Sequence, residues 1–106
     1  MEYITDLKGK QLMPGLYARL LHSSNMTLSF VDIDKGSNMP IHQHPHEQIT
    51  FVMEGELEMN IGGETMVLTP GTVHIIPGNT PHGALALTDV KVLDVFNPVR
   101  EDYIVK

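Results

Sequence analysis

The rhythm of the apolar runs constrains this chain more than anything else in it. Short β-rich stretches recur, each closed by a turn signal. No stretch keeps apolar residues at three- and four-residue spacing long enough to build a helix. The runs fall at residues 17–21, 26–33, 49–53, 57–61, 65–68, 73–76, 83–87 and 90–96. Asp34-Lys35-Gly36, Glu54-Gly55-Glu56, Pro70-Gly71, Pro77-Gly78-Asn79 and Thr88-Asp89 punctuate them, and Gly62-Gly63 has the form of a two-residue hairpin turn. Many short strands at roughly ten-residue spacing predict an all-β sandwich or barrel. The 106 residues suffice for one modest core. With no linker or low-complexity tract, residues 1–106 read as a single domain. The tail leaves the last strand through Pro98 and is placed to fold across a barrel mouth.

Composition narrows the chemistry. The chain has no cysteine, so disulfides and thiolate-bound metals are excluded and the donors left are imidazole, carboxylate and amide. Absence of cysteine fits a cytoplasmic location. The opening Met-Glu-Tyr-Ile-Thr-Asp lacks the basic and apolar regions of a signal peptide, and no apolar run reaches membrane-spanning length. The net charge is -6 and the basic residues are scattered, so no nucleic-acid surface is expected.

Six histidines are present, and their placement is uneven. His42 and His44 stand two apart, Gln48 follows four later, and Pro81-His82 comes much further on. On a strand, residues two apart share a face, so His42, His44 and Gln48 are expected to point the same way. A donor from a distant strand, His82, would close a mononuclear site. Imidazole and amide donors suit a divalent transition ion better than calcium or magnesium. Zinc, nickel, iron, manganese and copper are all compatible. His22, at a strand end, and His46, in a turn, read as ordinary polar residues; His74 reads as a polar strand residue.

At this point the sequence resembles the cupin superfamily over most of its length. A first cupin motif starts at Gly36, carries His42, His44 and Gln48, and ends at Gly55. A second starts at Gly71, passes Pro77 and ends at His82. The resemblance implies a small antiparallel double-stranded β-barrel, or jelly-roll, with a metal in its lumen. Three positions depart from the family pattern: Gln48 replaces the usual glutamate, Asn79 a glycine and Ala86 an asparagine. Glu47 is adjacent to Gln48, but its parity points it away from the histidines. Neutral ligands would leave a divalent ion its full charge and favour an anionic partner.

The end of the chain narrows the resemblance. Asp94 and Phe96 share strand parity, with Leu93 and Val95 expected to face the opposite sheet layer, and Arg100 follows. Together with the run from His42 to Gln48, Asp94-Val95-Phe96 and Arg100-Glu101-Asp102-Tyr103 resemble the small cupins of pectin and alginate breakdown that linearise unsaturated monouronates. What the resemblance implies is a metal held by His42, His44, Gln48 and His82. Asp94 is then the proton shuttle, Arg100 the clamp on a carboxylate, and Phe96 the wall against the sugar. The partner implied is a small anionic sugar acid, and the chain is expected to pair as a homodimer. Two other functions share this barrel: a metal-dependent dioxygenase and a non-catalytic ligand-binding cupin.

Overall fold

A computed structural model describes residues 1–105. Among the described residues the strands are β1 (Gly9–Met13), β2 (Leu16–His22), β3 (Thr27–Ile33), β4 (Asn38–His42), β5 (Glu47–Glu54), β6 (Leu57–Ile61), β7 (Glu64–Leu68), β8 (Val73–Ile76), β9 (His82–Ala86) and β10 (Val90–Asn97). Three-residue 3-10 turns at Ile4–Asp6 and Glu101–Tyr103 flank them. No helix of the described residues is long and apolar enough to cross a membrane.

The strands form two antiparallel sheets. One has the order β1-β2-β3-β10-β5-β8 and the other β4-β9-β6-β7. Their inner faces enclose a core that includes Leu16, Ala18, Val31, Ile33, Val52, Leu57, Met59, Ala86 and Val92. This is the all-β barrel expected from the turn spacing, with the two antiparallel layers that the cupin resemblance implied. All eight expected runs are strands, with ends shifted by a residue or so. β1 and β4 were not foreseen. Both are edge strands: β1 reads Gly-Lys-Gln-Leu-Met, and β4 contains Pro40. Edges tolerate proline and polar residues because one side of the backbone needs no partner.

Register stacks the inward-facing residues of the larger sheet in layers. Ala18, Val31, Val92 and Val52 pair in sequence across four strands. Two residues along, the row reads Leu20, Ser29, Asp94, Thr50 and His74; the next reads His22, Thr27, Phe96, Gln48 and Ile76. The lumen thus changes from apolar to polar along its length. Leu93 and Val95 do not face the other sheet, as the sequence reading had them. They point outward, half-buried beside Phe51 and Ile49. In a closed two-layer fold, residues alternating with lumen positions must lie on the outside.

Gly62 and Gly63 have φ of 58° and 89°, joining Ile61 to Glu64 as the two-residue hairpin the dipeptide predicts. Asn79 has φ of 62°. Asparagine tolerates this left-handed region better than other residues with a side chain, so the departure from glycine leaves the turn intact.

Candidate metal centre and lumen

The polar groups gather at one end of the barrel. His42 is the last residue of β4 and His82 the first of β9, and the two are cross-strand partners. His44 lies beyond β4, in the connection to β5, so His42 and His44 do not converge by strand alternation as expected. A β-bulge and a loop do it instead. Along β4 the register slips between Met39 and His42, which pair with Ala84 and His82. Three steps on β4 therefore match two on β9. The extra residue falls at Pro40-Ile41 and brings Met39 and His42 to the same face, where both line the lumen. Gly83 makes room for this. A Cβ there would lie 2.9 Å from the Met39 carbonyl oxygen and 3.1 Å from the Ile41 nitrogen.

One donor atom from each of His42, His44 and His82 lies within 4.8 Å of the others. Each Nδ1 is directed at a backbone carbonyl two residues away. His42 meets Pro40 O at 2.9 Å, His44 meets His46 O at 3.1 Å and His82 meets Thr80 O at 2.8 Å. Donation of Nδ1–H to these carbonyls fixes the tautomer and leaves every Nε2 as a lone pair, the usual outer-shell arrangement of a metal-binding histidine. Burial, with the positive charge of Arg100 and then His82, holds His44 down to about 4. Burial likewise lowers His82. Both imidazoles are thus kept unprotonated.

Two observations test whether a cation fits here. His82 Nε2 is buried without a hydrogen-bond partner. His44 Nε2 lies 3.1 Å from Gln48 Oε1, although a neutral imidazole whose Nδ1–H is spent has only a lone pair to offer an oxygen. Two lone pairs facing one another are repulsive, and a cation that both can ligate removes the conflict. The amide orientation follows from its other contacts. Gln48 Nε2 donates to Thr50 Oγ1 at 2.9 Å and to Asp94 Oδ1 at 3.2 Å, and carboxylate oxygen accepts. Gln48 therefore turns its oxygen toward the histidines and its N–H groups toward Asp94. The three histidines can hold a metal, and Gln48 Oε1 faces the same space.

Asp94 sits below this set. Thr50 Oγ1 donates to its Oδ1 at 2.8 Å, so both hydrogen bonds to the carboxylate end on one oxygen. The surface it retains opens onto the lumen rather than bulk water. Burial pushes its carboxyl up to about 6, against the hydrogen bonds from Thr50 and Gln48 and the charge of Arg100, which favour the anion.

The tail crosses the mouth, as its position after Pro98 implied. The backbone N–H of Arg100 donates to Thr27 Oγ1 at 2.9 Å. The guanidinium is buried, 3.9 Å from the Tyr103 ring centre and 4.7 Å from that of Phe96. Its Nε and Nη2 donate to Asp102 Oδ1 and Oδ2 at 3.0 and 2.8 Å. One fork of Arg100 is therefore spent within the tail, and the Nη1/Nη2 edge remains for a ligand.

The structure thus brings His42, His44, Gln48, His82, Asp94, Phe96 and Arg100 around one lumen. It keeps His74 out of the histidine cluster, as Thr50's cross-strand partner, and sets His46 at the rim, 5.4 Å from His44 between ring centres. Sequence reading missed Thr50, Ser29, Asp102 and Tyr103. Thr50 shares parity with Gln48, and Ser29 shares parity with Val31 and Ile33, so both signals were present. The roles of Asp102 and Tyr103 depend on how the tail folds, which no spacing reveals.

Two packed antiparallel sheets with converging histidines at one end define a class of barrels that can bind a metal in the lumen. Comparison with known proteins is more specific: the Cupin domain family matches residues 29–96, and this chain belongs to it. The chain is similar to the pectin degradation protein KdgF of Dickeya dadantii, at 33% identity over 98 residues, 90% of this chain and 89% of that protein. The structure of KdgF from a Halomonas species superposes with a TM-score of 0.89 and 32% identity, covering 96% of each chain. An RmlC-like cupin from Shewanella frigidimarina gives a TM-score of 0.92 at 30% identity, over 98% of this chain and 95% of that one.

Proposed function

We propose that this chain acts as a single-domain enzyme that opens cyclic 4,5-unsaturated uronates, products of pectin or alginate lyases, to linear keto acids. The observation that carries this reading is the position of Asp94. One titratable carboxyl, raised to about 6, lies in a lumen with a guanidinium, beside the cluster of His42, His44 and His82. Similarity to pectin degradation proteins supports the substrate class.

The substrate is at once an anion, a hemiacetal and an enol ether. Asp94 takes the proton of the anomeric hydroxyl. The C1 carbonyl forms, the bond from C1 to the ring oxygen breaks, and the electron pair moves onto that oxygen to leave an enolate. Asp94 then returns the proton at C4, giving the 5-keto product with no change in composition. A general base near pKa 6 suits this work at neutral pH. A divalent transition metal held by His42, His44, Gln48 and His82 would supply a fixed positive pole for developing negative charge. Arg100 binds the substrate carboxylate through its free Nη1/Nη2 edge while Asp102 holds the other. Phe96 supplies an apolar wall for the ring.

The lumen encloses about 30 Å³, room for roughly two waters.

We also propose a homodimer in the cytoplasm. The outer face of the larger sheet presents Tyr17, Leu21, Phe51, Met53, Val73 and Ile75, with Val73 and Ile75 59% and 57% exposed. Half-buried Phe30, Leu93 and Val95 join these into one apolar surface, of a kind that monomers seldom leave open. A two-fold axis lets the same surface pair with itself. Light scattering should give twice the chain mass, and Phe51→Glu with Ile75→Glu should halve it.

The decisive experiment incubates metal-replete protein with lyase-generated unsaturated monouronate and follows loss of the double-bond absorbance. Turnover that stops on chelation and returns with metal is the expected result. Metal-replete protein that leaves the substrate unchanged removes this function. Oxygen-dependent product formation would replace it with dioxygenase chemistry.

A further inference from the structure

Among the described residues, Ser29 presents to the lumen a buried hydroxyl with no hydrogen-bond partner. The residue is 1% exposed on β3, directly opposite Asp94 on β10. The inward positions that follow on the same strand are Val31 and Ile33, both buried in the core, so an apolar side chain would suit the packing. Buried hydroxyls are nearly always partnered, because the bonds to water lost on burial need replacement. An unpartnered hydroxyl on the wall of a binding lumen is a group kept for a ligand.

Its neighbours indicate which ligand group it meets. Thr50 and Gln48 both donate to Asp94 Oδ1, which leaves Oδ2 unengaged by either, on a residue that lines the lumen. Cross-strand partners stand about 5 Å apart at their Cα atoms, so Ser29 Oγ and Asp94 address adjacent atoms of one ligand. We propose that Ser29 Oγ binds the C2 hydroxyl of the sugar acid, next to the anomeric carbon whose hydroxyl Asp94 deprotonates. This rests on the uronate reading of the same lumen and makes Ser29 a specificity residue rather than a catalytic one. Serine suits the task because its hydroxyl both donates and accepts; Asp94 can only accept when ionised.

The test compares metal-replete wild type, Ser29→Ala and Ser29→Thr. Without ligand, Ser29→Ala should melt no lower than wild type, since it removes a hydroxyl that had no partner. On unsaturated monouronate its KM should rise by about 10-fold, the worth of one hydrogen bond, while kcat stays within about twofold. Ser29→Thr, which keeps the hydroxyl, should recover most of the KM. With the 2-deoxy analogue, wild type and Ser29→Ala should be alike. An unchanged KM in Ser29→Ala, or an equal loss on the 2-deoxy compound, overturns the assignment. Wild type without turnover would defeat the uronate reading itself. Ser29 would then be judged by thermal shift with galacturonate. A smaller shift in Ser29→Ala supports the contact, and equal shifts, including none in either, overturn it.

Discussion

The two ends of the lumen are built from the same strands by the same alternation, yet they have opposite characters. At one end the inward residues are Leu16, Ala18, Val31, Ile33, Val52 and Val92, all at or below 5% exposure. At the other they are Ser29, Thr50 and Gln48, also buried but polar, with half-buried Asp94 among them. Only a residue or two separates the sets on each strand. The apolar end supplies the burial that drives folding, at about 1.5–3 kcal/mol for each large side chain. The polar end spends part of that gain on groups that are desolvated and only partly paired. The difference teaches that this small barrel separates stability from chemistry along its axis, so that changes at either end should have separable effects.

Asp94→Asn should break the polar end most severely. It removes the titrating group with little change of shape, and kcat should fall by roughly 10²–10⁴-fold while the protein stays folded and retains metal. A variant with near-normal kcat would exclude Asp94 as the proton shuttle. Leu57→Ala should do the reverse. It opens a cavity in the core and should lower unfolding free energy by about 2–5 kcal/mol in denaturant titration. Metal content and kcat per folded molecule should be retained; a parallel loss of kcat would show that the ends are not independent.

Gln48→Glu sharpens the comparison within the polar end. The amide now donates to Asp94, whereas a carboxylate there would set two acidic groups against each other. One would hold its proton to higher pH. The acid limb of the kcat/KM profile should move up by about one pH unit, and affinity for anionic ligands at low salt should drop because the site loses positive charge. An unmoved profile would mean that the Gln48–Asp94 contact does not tune the carboxyl.

A smaller effect is expected from Gly83→Ala. The added methyl meets the Met39 carbonyl and Ile41 nitrogen of the bulge, so β4 must give way and His42 with it. Metal affinity, measured by chelator competition, should weaken several-fold, with a modest drop in melting temperature. Unchanged affinity would remove the bulge as the device that aims His42.

The smallest expected effect lies in the pH dependence of stability of chelator-treated protein. Asp94 is raised from 3.8 to about 6, so the folded form holds its proton more tightly than the unfolded chain. Its contribution is present below pH 3.8 and is lost as pH rises through 6. His44 is lowered from 6.5 to about 4, so its contribution is present above pH 6.5 and is lost as pH falls through 4. The melting temperature of Asp94→Asn minus that of wild type should therefore climb between pH 4 and 7, because the variant escapes only the first loss. A flat difference would show that Asp94 titrates normally.

Much of this was open to reading from the chain alone. Apolar alternation and Gly or Pro punctuation determined eight strands, since burial of one face and turn geometry act over a few residues. The two motif spacings brought His42, His44, Gln48 and His82 into one hypothesis, and shared parity joined Asp94 to Phe96. What escaped depends on contacts between distant segments. Only the pairing of β4 with β9 reveals that a bulge at Pro40-Ile41, accommodated by Gly83, aims His42, and that His44 acts from a loop. The folded tail alone shows that Asp102 already occupies one fork of Arg100. Strand register alone sets Ser29 opposite Asp94, and closure into a barrel turns Leu93 and Val95 outward. The sequence by itself determined which groups were available and in what local order. The tertiary structure decided which of them meet, because hydrogen-bond register and burial are properties of strand pairs far apart in the chain.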